Sequence, residues 1–416
     1  MRDKQTMALL LVAAMVAACD GDEGRPGFGL DSSAPQTSAD PGDDDGSEPA
    51  EDSGDESGSD DGAPSAPDEP TPLTVDETRF YLTRIAPLIA SRSLTYDENQ
   101  LIDEVGELAI APIIDGWTAE QGFAEAIRFM VQDQLHVSGA RDGVDFELPG
   151  NLAAEIAAES LPWSTLLTAD YCVDAAGSHV ECDTGAPYES GVLATRAYLI
   201  ANKGRFNLTR AKRMLETFAC RIYPMETEIQ IPLQKPQLIP MFQAENADEQ
   251  TVDEAKGGFG NGIACYNCHS QFGAHAQLYV KFDSDGLWRG EADGQQDPEG
   301  ELGRSTAGLY TSHMIDPTKA MSEESQMFGQ PVENLRDAMG VLTESVLFQQ
   351  CTVKNIVGRA FGIPSGANTD IDAELVAELA QRVTADSPDP SIRQYVIAVF
   401  NERRVIDAVL ATKEND

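Results

Sequence analysis

A mostly α-helical body behind an acidic, unstructured N-terminal segment is the fold class this sequence predicts, on three observations. From Thr74 onward apolar residues recur at three- and four-residue spacing. Thr-x-x-Glu signatures of helix N-termini stand ahead of the first runs. Strand-like alternation is scarce outside pieces such as Glu228 to Leu233. The chain has 416 residues, room for two or three ordinary domains, with seven cysteines and a formal net charge of −41.

Residues 1–19 read as an export signal. Arg2 and Lys4 form a short basic region. Met7 to Ala18 is an apolar run of 12 residues, too short to span a bilayer core of about 30 Å as a helix. It ends in Val16-Ala17-Ala18-Cys19, which resembles the lipobox of bacterial lipoproteins, with Cys19 as the lipidated residue. The plainer alternative is an ordinary secretory signal with an incidental cysteine. Stable anchoring would follow from two or three acyl chains. The expected location is the periplasmic or cell-surface side of a bacterial membrane.

Residues 20–75 are built mainly from Asp, Glu, Gly, Ser, Pro and Ala, with 17 acidic residues against Arg25 alone. Such a segment cannot bury an apolar face and its charges repel, so it is expected to be disordered and extended. It reads as a tether or as a spacer without functional reach. The remainder of the chain is acidic as well, which disfavours nucleic acid as a partner and favours a protein with a basic face.

Thr74-Val75-Asp76-Glu77 and Thr95-Tyr96-Asp97-Glu98 are capping boxes. The first precedes Phe80, Leu82, Ile85, Leu88 and Ile89, with a kink expected at Pro87. The second precedes Leu101, Ile102, Val105 and Leu108. A third helix is expected after Thr118 through Phe123, Ile127, Met130, Val131 and Leu135. Leu208 to Cys220, Glu333 to Val341, Leu347 to Phe361, Ile371 to Val383 and Ser391 to Arg404 also read as amphipathic helices. No internal repeat is visible.

Cys265-Tyr266-Asn267-Cys268-His269 carries the chemistry. C-type haem needs two thiols for its two vinyl groups and an imidazole beside the second thiol to bind iron. A three-residue step puts both thiols on one side of a helical turn, with the next residue placed for the metal. A thioredoxin-like dithiol has no use for His269, and zinc would require ligands that no second Cys pair supplies. The expected cofactor is haem c, held by Cys265 and Cys268 with iron on His269. Upstream, the glycine-rich run Gly257 to Gly262 suits close approach to a flat cofactor. Export agrees, since bacterial haem c is attached outside the cytoplasm.

Cys172, Cys182, Cys220 and Cys351 remain, an even number suited to an oxidising compartment. Of three pairings, Cys172–Cys182, closing a short polar loop, and Cys220–Cys351, joining two helical regions, are favoured. Buried free thiols remain the alternative. For the sixth iron ligand, His275 lies too close to His269 in sequence to reach the opposite face of a haem. Met327 is the first candidate, with Met321, Met314, His313 and Met339 as others; any of these methionines can equally be core filler. Trp288 and Arg289 are candidates to stack on the ring edge and pair with a propionate, or else a core Trp beside a surface Arg. Asp283-Ser284-Asp285-Gly286 lacks the spacing of a calcium loop.

The chain also resembles the large single-haem cytochrome-c-like proteins first catalogued in planctomycetes and common in deltaproteobacteria, whose parts are known as domains of unknown function. Cys265 to Asp283 is similar to their haem segment, and Gly286 to Arg289 to their G-x-W-R. Leu166 to Tyr171, Gly191-Val192-Leu193 through Cys220, and Phe348 to Arg359 are similar to flanking elements in the same order. The resemblance spans most of residues 76–416. It implies a multi-helix body with the haem segment in its middle, and a Cys220–Cys351 disulfide. Gly273-Ala274 stands where that family has Asp-Pro, and Arg304 to Gln330 is longer than usual, so no sixth ligand carries over.

The expected organisation is a signal at 1–19, a linker at 20–75, a helical domain at 76–225, a haem segment at 226–330 and a helical region at 331–416. The expected function is one-electron transfer by a lipid-anchored c-type cytochrome facing a redox partner protein. The alternatives are a peroxidase-like or other haem oxidoreductase with an open iron site, or a surface interaction protein with a structural haem.

Overall fold

The Thr-x-x-Glu signatures form the capping boxes expected of them. The computed structural model describes residues 71–137, 139–203, 207–232, 263–288, 322–363, 366 and 371–412, with the backbone alone for 263–269. Thr74 accepts from the Glu77 N–H and Glu77 accepts in return from the Thr74 N–H at 2.8 Å, opening helix α1 (Val75–Ile89). Pro87 falls in its last turn, and the helix continues to Ile89. Thr95 and Glu98 repeat the device at α2 (Tyr96–Val105). A 3₁₀ turn leads to α3 (Ile110–Trp117). Thr118 closes α3 rather than opening the next helix, and α4 (Gln121–Gln134) begins after Glu120.

Next come α5 (Leu148–Ala158), α6 (Thr165–Thr168), α7 (Arg196–Ala201) and α8 (Leu208–Phe218). Then α9 (Ile263–Gln277), α10 (Leu335–Glu344), α11 (Val346–Ala360), α12 (Ala373–Asp386), α13 (Ile392–Phe400) and α14 (Arg403–Ala411) complete the helices. The single helix expected over Ser391 to Arg404 is two, broken where Asn401 caps the first and Glu402 precedes the second. The alternation at Glu228 makes no strand: Ile229 and Gln230 both donate to the Glu226 carbonyl, at 3.0 and 3.1 Å, which closes a turn. Among the described residues, β structure is two short hairpins, Cys172–Val173 with His179–Val180 and Ser325–Met327 with Gln330–Val332.

Leu73–Asp416 forms one compact unit. A large apolar core runs through it, joining Tyr81 of α1, Trp117 of α3, Tyr198 of α7, Tyr279 beyond α9 and Val399 of α13, with a smaller cluster of Leu148, Cys172 and Cys182 beside it. The buried Tyr81 hydroxyl donates to the Phe400 carbonyl at 2.6 Å, tying the first helix to the end of α13. Glu98 gathers Arg92 at 2.7 Å and the Trp117 indole at 2.6 Å. Burial alone would raise the Glu98 carboxyl, but hydrogen bonds from Arg92, Thr95 and Trp117 hold it down at about 2.

Gly191 shows why one loop residue is glycine. Its φ is +48°, and a Cβ there would stand 2.1 Å from the Leu166 carbonyl oxygen. That approach lets Val192 donate to Leu166 at 2.9 Å and Gly191 to Ala169 at 3.0 Å. Both disulfides form, Cys172–Cys182 with Cα atoms 5.1 Å apart and Cys220–Cys351 with Cα atoms 5.2 Å apart. Among the described residues, no helix is long and apolar enough to cross a membrane.

Candidate functional site

Cys265, Cys268 and His269 stand on the backbone of α9. At 3.6 residues per turn, positions 265 and 268 share a face and 269 is one place round from 265 on the next turn. Two turns further, the same stripe passes through Phe272 and His275. The predicted attachment residues therefore sit at one end of a helix whose other end is deep in the protein. Ser270, Gln271, Phe272, Ala274, His275, Ala276 and Gln277 are each at most 3% exposed.

Four of those seven side chains are polar, and burying a polar group is costly unless it is bonded. Gln271 Oε1 accepts from the Met225 N–H at 2.5 Å while its Nε2 donates to the Met225 carbonyl at 2.7 Å. One side chain thus does the work of a short β-bridge. Gln277 donates to the Ser322 carbonyl, and the Ser325 hydroxyl donates to the Ala274 carbonyl. The chain before α9 at residue 225 and after it at 322–325 is clamped to the same helix.

His275 is fully buried. Its Nδ1 lies 2.7 Å from the Tyr223 hydroxyl, and the rings of Tyr223 and Phe328 surround it at 5.8 and 6.4 Å. Burial pushes the imidazole down to about 3, so it is neutral. A phenol is the better donor and an imidazole nitrogen the better acceptor, so Tyr223 donates to Nδ1 and the ring proton sits on Nε2. That Nε2 is buried and has no partner among the described residues. A buried donor left unmet costs about 1–3 kcal/mol.

The donor set fits haem c. Two thiol positions one helical turn apart, an adjacent imidazole and a buried, unmet N–H two turns on suit a flat ring bonded along one edge. Met327 is fully buried on the hairpin strand Ser325–Met327, which packs on α9. Met339 is also fully buried, in α10. His313, Met314, Met321, Arg289, the glycine run 257–262, Cys19 and the linker up to residue 70 lie outside the described residues. Among the described residues, no group of three or more His, Cys, Asp and Glu is placed to hold a metal ion.

Trp288 is half-buried, its backbone N–H donating to the Thr184 carbonyl at 2.9 Å and its ring 5.3 Å from the Lys281 ammonium. Beside it the buried Glu323 accepts from the Tyr188 hydroxyl. Burial raises the Glu323 carboxyl, against the opposing pull of Tyr188, Lys281 and Trp288. Asp283 Oδ1 accepts from the Asp285 and Leu287 N–H groups at 2.8 and 2.9 Å. The acid spacing that hints at a calcium loop is here a turn, a few residues beyond the end of α9.

Sequence reasoning missed three residues that position this site: Tyr223, Gln271 and Arg210. Arg210, 1% exposed, fans out to the carbonyls of Leu199, Phe282 and Asp283 at 2.7–2.9 Å, and so fixes the loop leaving α9 to α7 and α8. The available signal was the seven-residue step from Cys268 to His275, which puts a second histidine on the thiol stripe. The chain matches no family model, no curated protein and no solved structure.

Proposed function

We propose that this protein is an exported, lipid-anchored c-type cytochrome that transfers single electrons through one haem on Cys265, Cys268 and His269. The observation that carries it is C-x-x-C-H on a continuous helical backbone whose following two turns are buried and clamped from both sides. Bound there, the haem would supply one-electron redox chemistry, and the chain's own residues set its burial and axial ligation. Arg210 and Gln271 hold α9 and its exit loop in place, which keeps reorganisation on electron transfer small. Met327 is the proposed sixth ligand, a buried thioether on a strand seated against the helix. Cys19 is the proposed lipid site, and the acidic segment behind it the tether. The proposed partner is a redox protein with a basic face, drawn by a chain of net charge −41. The resemblance to the planctomycete-type single-haem proteins supports cofactor and body alike.

The test is the optical spectrum of the full chain expressed with a haem-attachment system, oxidised and reduced, with and without carbon monoxide. A c-type α-band that survives denaturation and is unmoved by carbon monoxide is the expected result. Replacing Met327 by alanine should then abolish the weak red absorption of a thioether-ligated ferric haem. A high-spin iron that takes carbon monoxide would move the assignment to a haem enzyme with an open position. No covalent haem would sink the proposal.

A further inference from the structure

We propose that His275 donates a hydrogen bond from Nε2–H to a haem propionate, and that Tyr223 fixes the imidazole tautomer that allows it. This rests on the haem assignment of Cys265, Cys268 and His269. The observation is a buried donor. Along the buried half of α9, the Gln271 and Gln277 amide N–H groups donate to the Met225 and Ser322 carbonyls, while the His275 Nε2 meets no partner among the described residues. A leucine would fill the same space among Tyr223, Phe272 and Phe328 without that penalty. The ring is instead held by a 2.7 Å bond on its other nitrogen, which aims a donor rather than tolerating one.

The chemistry of haem c says what the donor meets. Its thioethers lie along one edge of the ring and its two propionates along the opposite edge. Cys265 and Cys268 precede His269 on α9, and a ring held by these three residues would leave its other edge to residues later in the chain, among which His275 offers the unmet donor. His275 stands about 9 Å along the helix from His269 on the stripe of Cys268. A carboxylate entering a buried site needs a strong donor there. A neutral imidazole N–H supplies one without burying a second charge, and burial keeps this ring neutral. Iron ligation by His275 is the competing use of Nε2, and a residue on the same helix as His269 does not reach the opposite face of the same haem.

The experiment uses the full, haem-loaded chain and reads the propionate bending mode in resonance Raman spectra together with the midpoint potential. Wild type is compared with His275→Leu, His275→Gln and Tyr223→Phe. His275→Leu should shift the propionate mode and lower the potential, because the less compensated carboxylate favours ferric iron, with haem content unchanged. His275→Gln, whose amide N–H takes the place of Nε2–H, should restore both. Tyr223→Phe should give a smaller shift of the same sign. An unchanged mode and potential in His275→Leu overturns the proposal and leaves Nε2 to a buried water. Should His275→Leu fail to load haem, an unchanged spectrum in Tyr223→Phe overturns it equally. A wild type without covalent haem overturns both this and the cytochrome assignment, and its colourless spectrum separates that case from a red protein indifferent to His275.

Discussion

Helices α8 and α9 pack against each other and are built on different plans. In α8, Ala211, Met214, Leu215 and Phe218 face the core while Lys212, Arg213 and Glu216 meet at the surface, with ion pairs of 3.6 and 3.7 Å. In α9 there is no solvent side from Ser270 on, and polar residues alternate with apolar ones within the protein. The first helix is held by an apolar seam with the buried Arg210 beside it, and only the polar residues on its solvent side are nearly free to vary. The second is held by named polar contacts, each of which leaves buried groups stranded if broken. Polar residues on the solvent side of a helix therefore say little, whereas buried ones, Arg210 of α8 as much as Gln271 of α9, mark what the helix holds.

The largest test of that contrast is the disulfide at the end of α8. Replacing Cys220 and Cys351 by alanine should cost about 5 kcal/mol by loop-closure entropy, against about 3 kcal/mol for Cys172 and Cys182, read from urea midpoints. Equal losses would mean that the long loop is already restrained in the unfolded chain. Next is Gln271→Leu, which strands the buried Met225 N–H and carbonyl and should cost about 3 kcal/mol. A loss under about 1 kcal/mol would break the claim that polar clamps hold α9.

A smaller effect is expected at Glu98, a charged clamp in the shell. Glu98→Gln should cost about 1–2 kcal/mol at neutral pH. Because the folded carboxyl is held below its ordinary value, its contribution is present above about 4.5 and is lost as pH falls toward about 2. The gap between variant and wild type should therefore close over that interval of acid unfolding. Smallest is Lys212→Ala on the exposed side of α8, expected within about 0.5 kcal/mol of wild type. A larger loss there would blur the distinction between the two helices.

The same contrast explains what the sequence made legible. Shell helices announce themselves, since one face meets water and the apolar stripe stands out; α1, α2, α8 and α12 were read to within a few residues, as was the largely buried α11. Both capping boxes were visible because they satisfy local backbone groups by local side chains. The break at Asn401 was invisible, as the apolar spacing runs through it. Helix α5 was missed because Leu152, Ala153, Ile156 and Ala157 are buried without a strong polar contrast. Helix α9 was readable only as a motif. Its polar residues owe their partners to positions such as Met225, Ser322 and Tyr223, which are 45 to 52 residues away in sequence. No periodicity encodes a contact of that range. Trp288 and Met327 were singled out by residue type, and the structure places both beside the elements that pack around the end of α9.

The Cys220–Cys351 bond encloses 131 residues of sequence separation, and Cys265, Cys268 and His269 all fall inside it. The centre of the molecule is thus a covalent ring. A protease that cuts once anywhere within that ring opens the chain without releasing a fragment, so nicked and intact molecules differ in mass by a single water until a reductant is added. Upon reduction the two pieces part, and their sizes report where along those residues the cut fell.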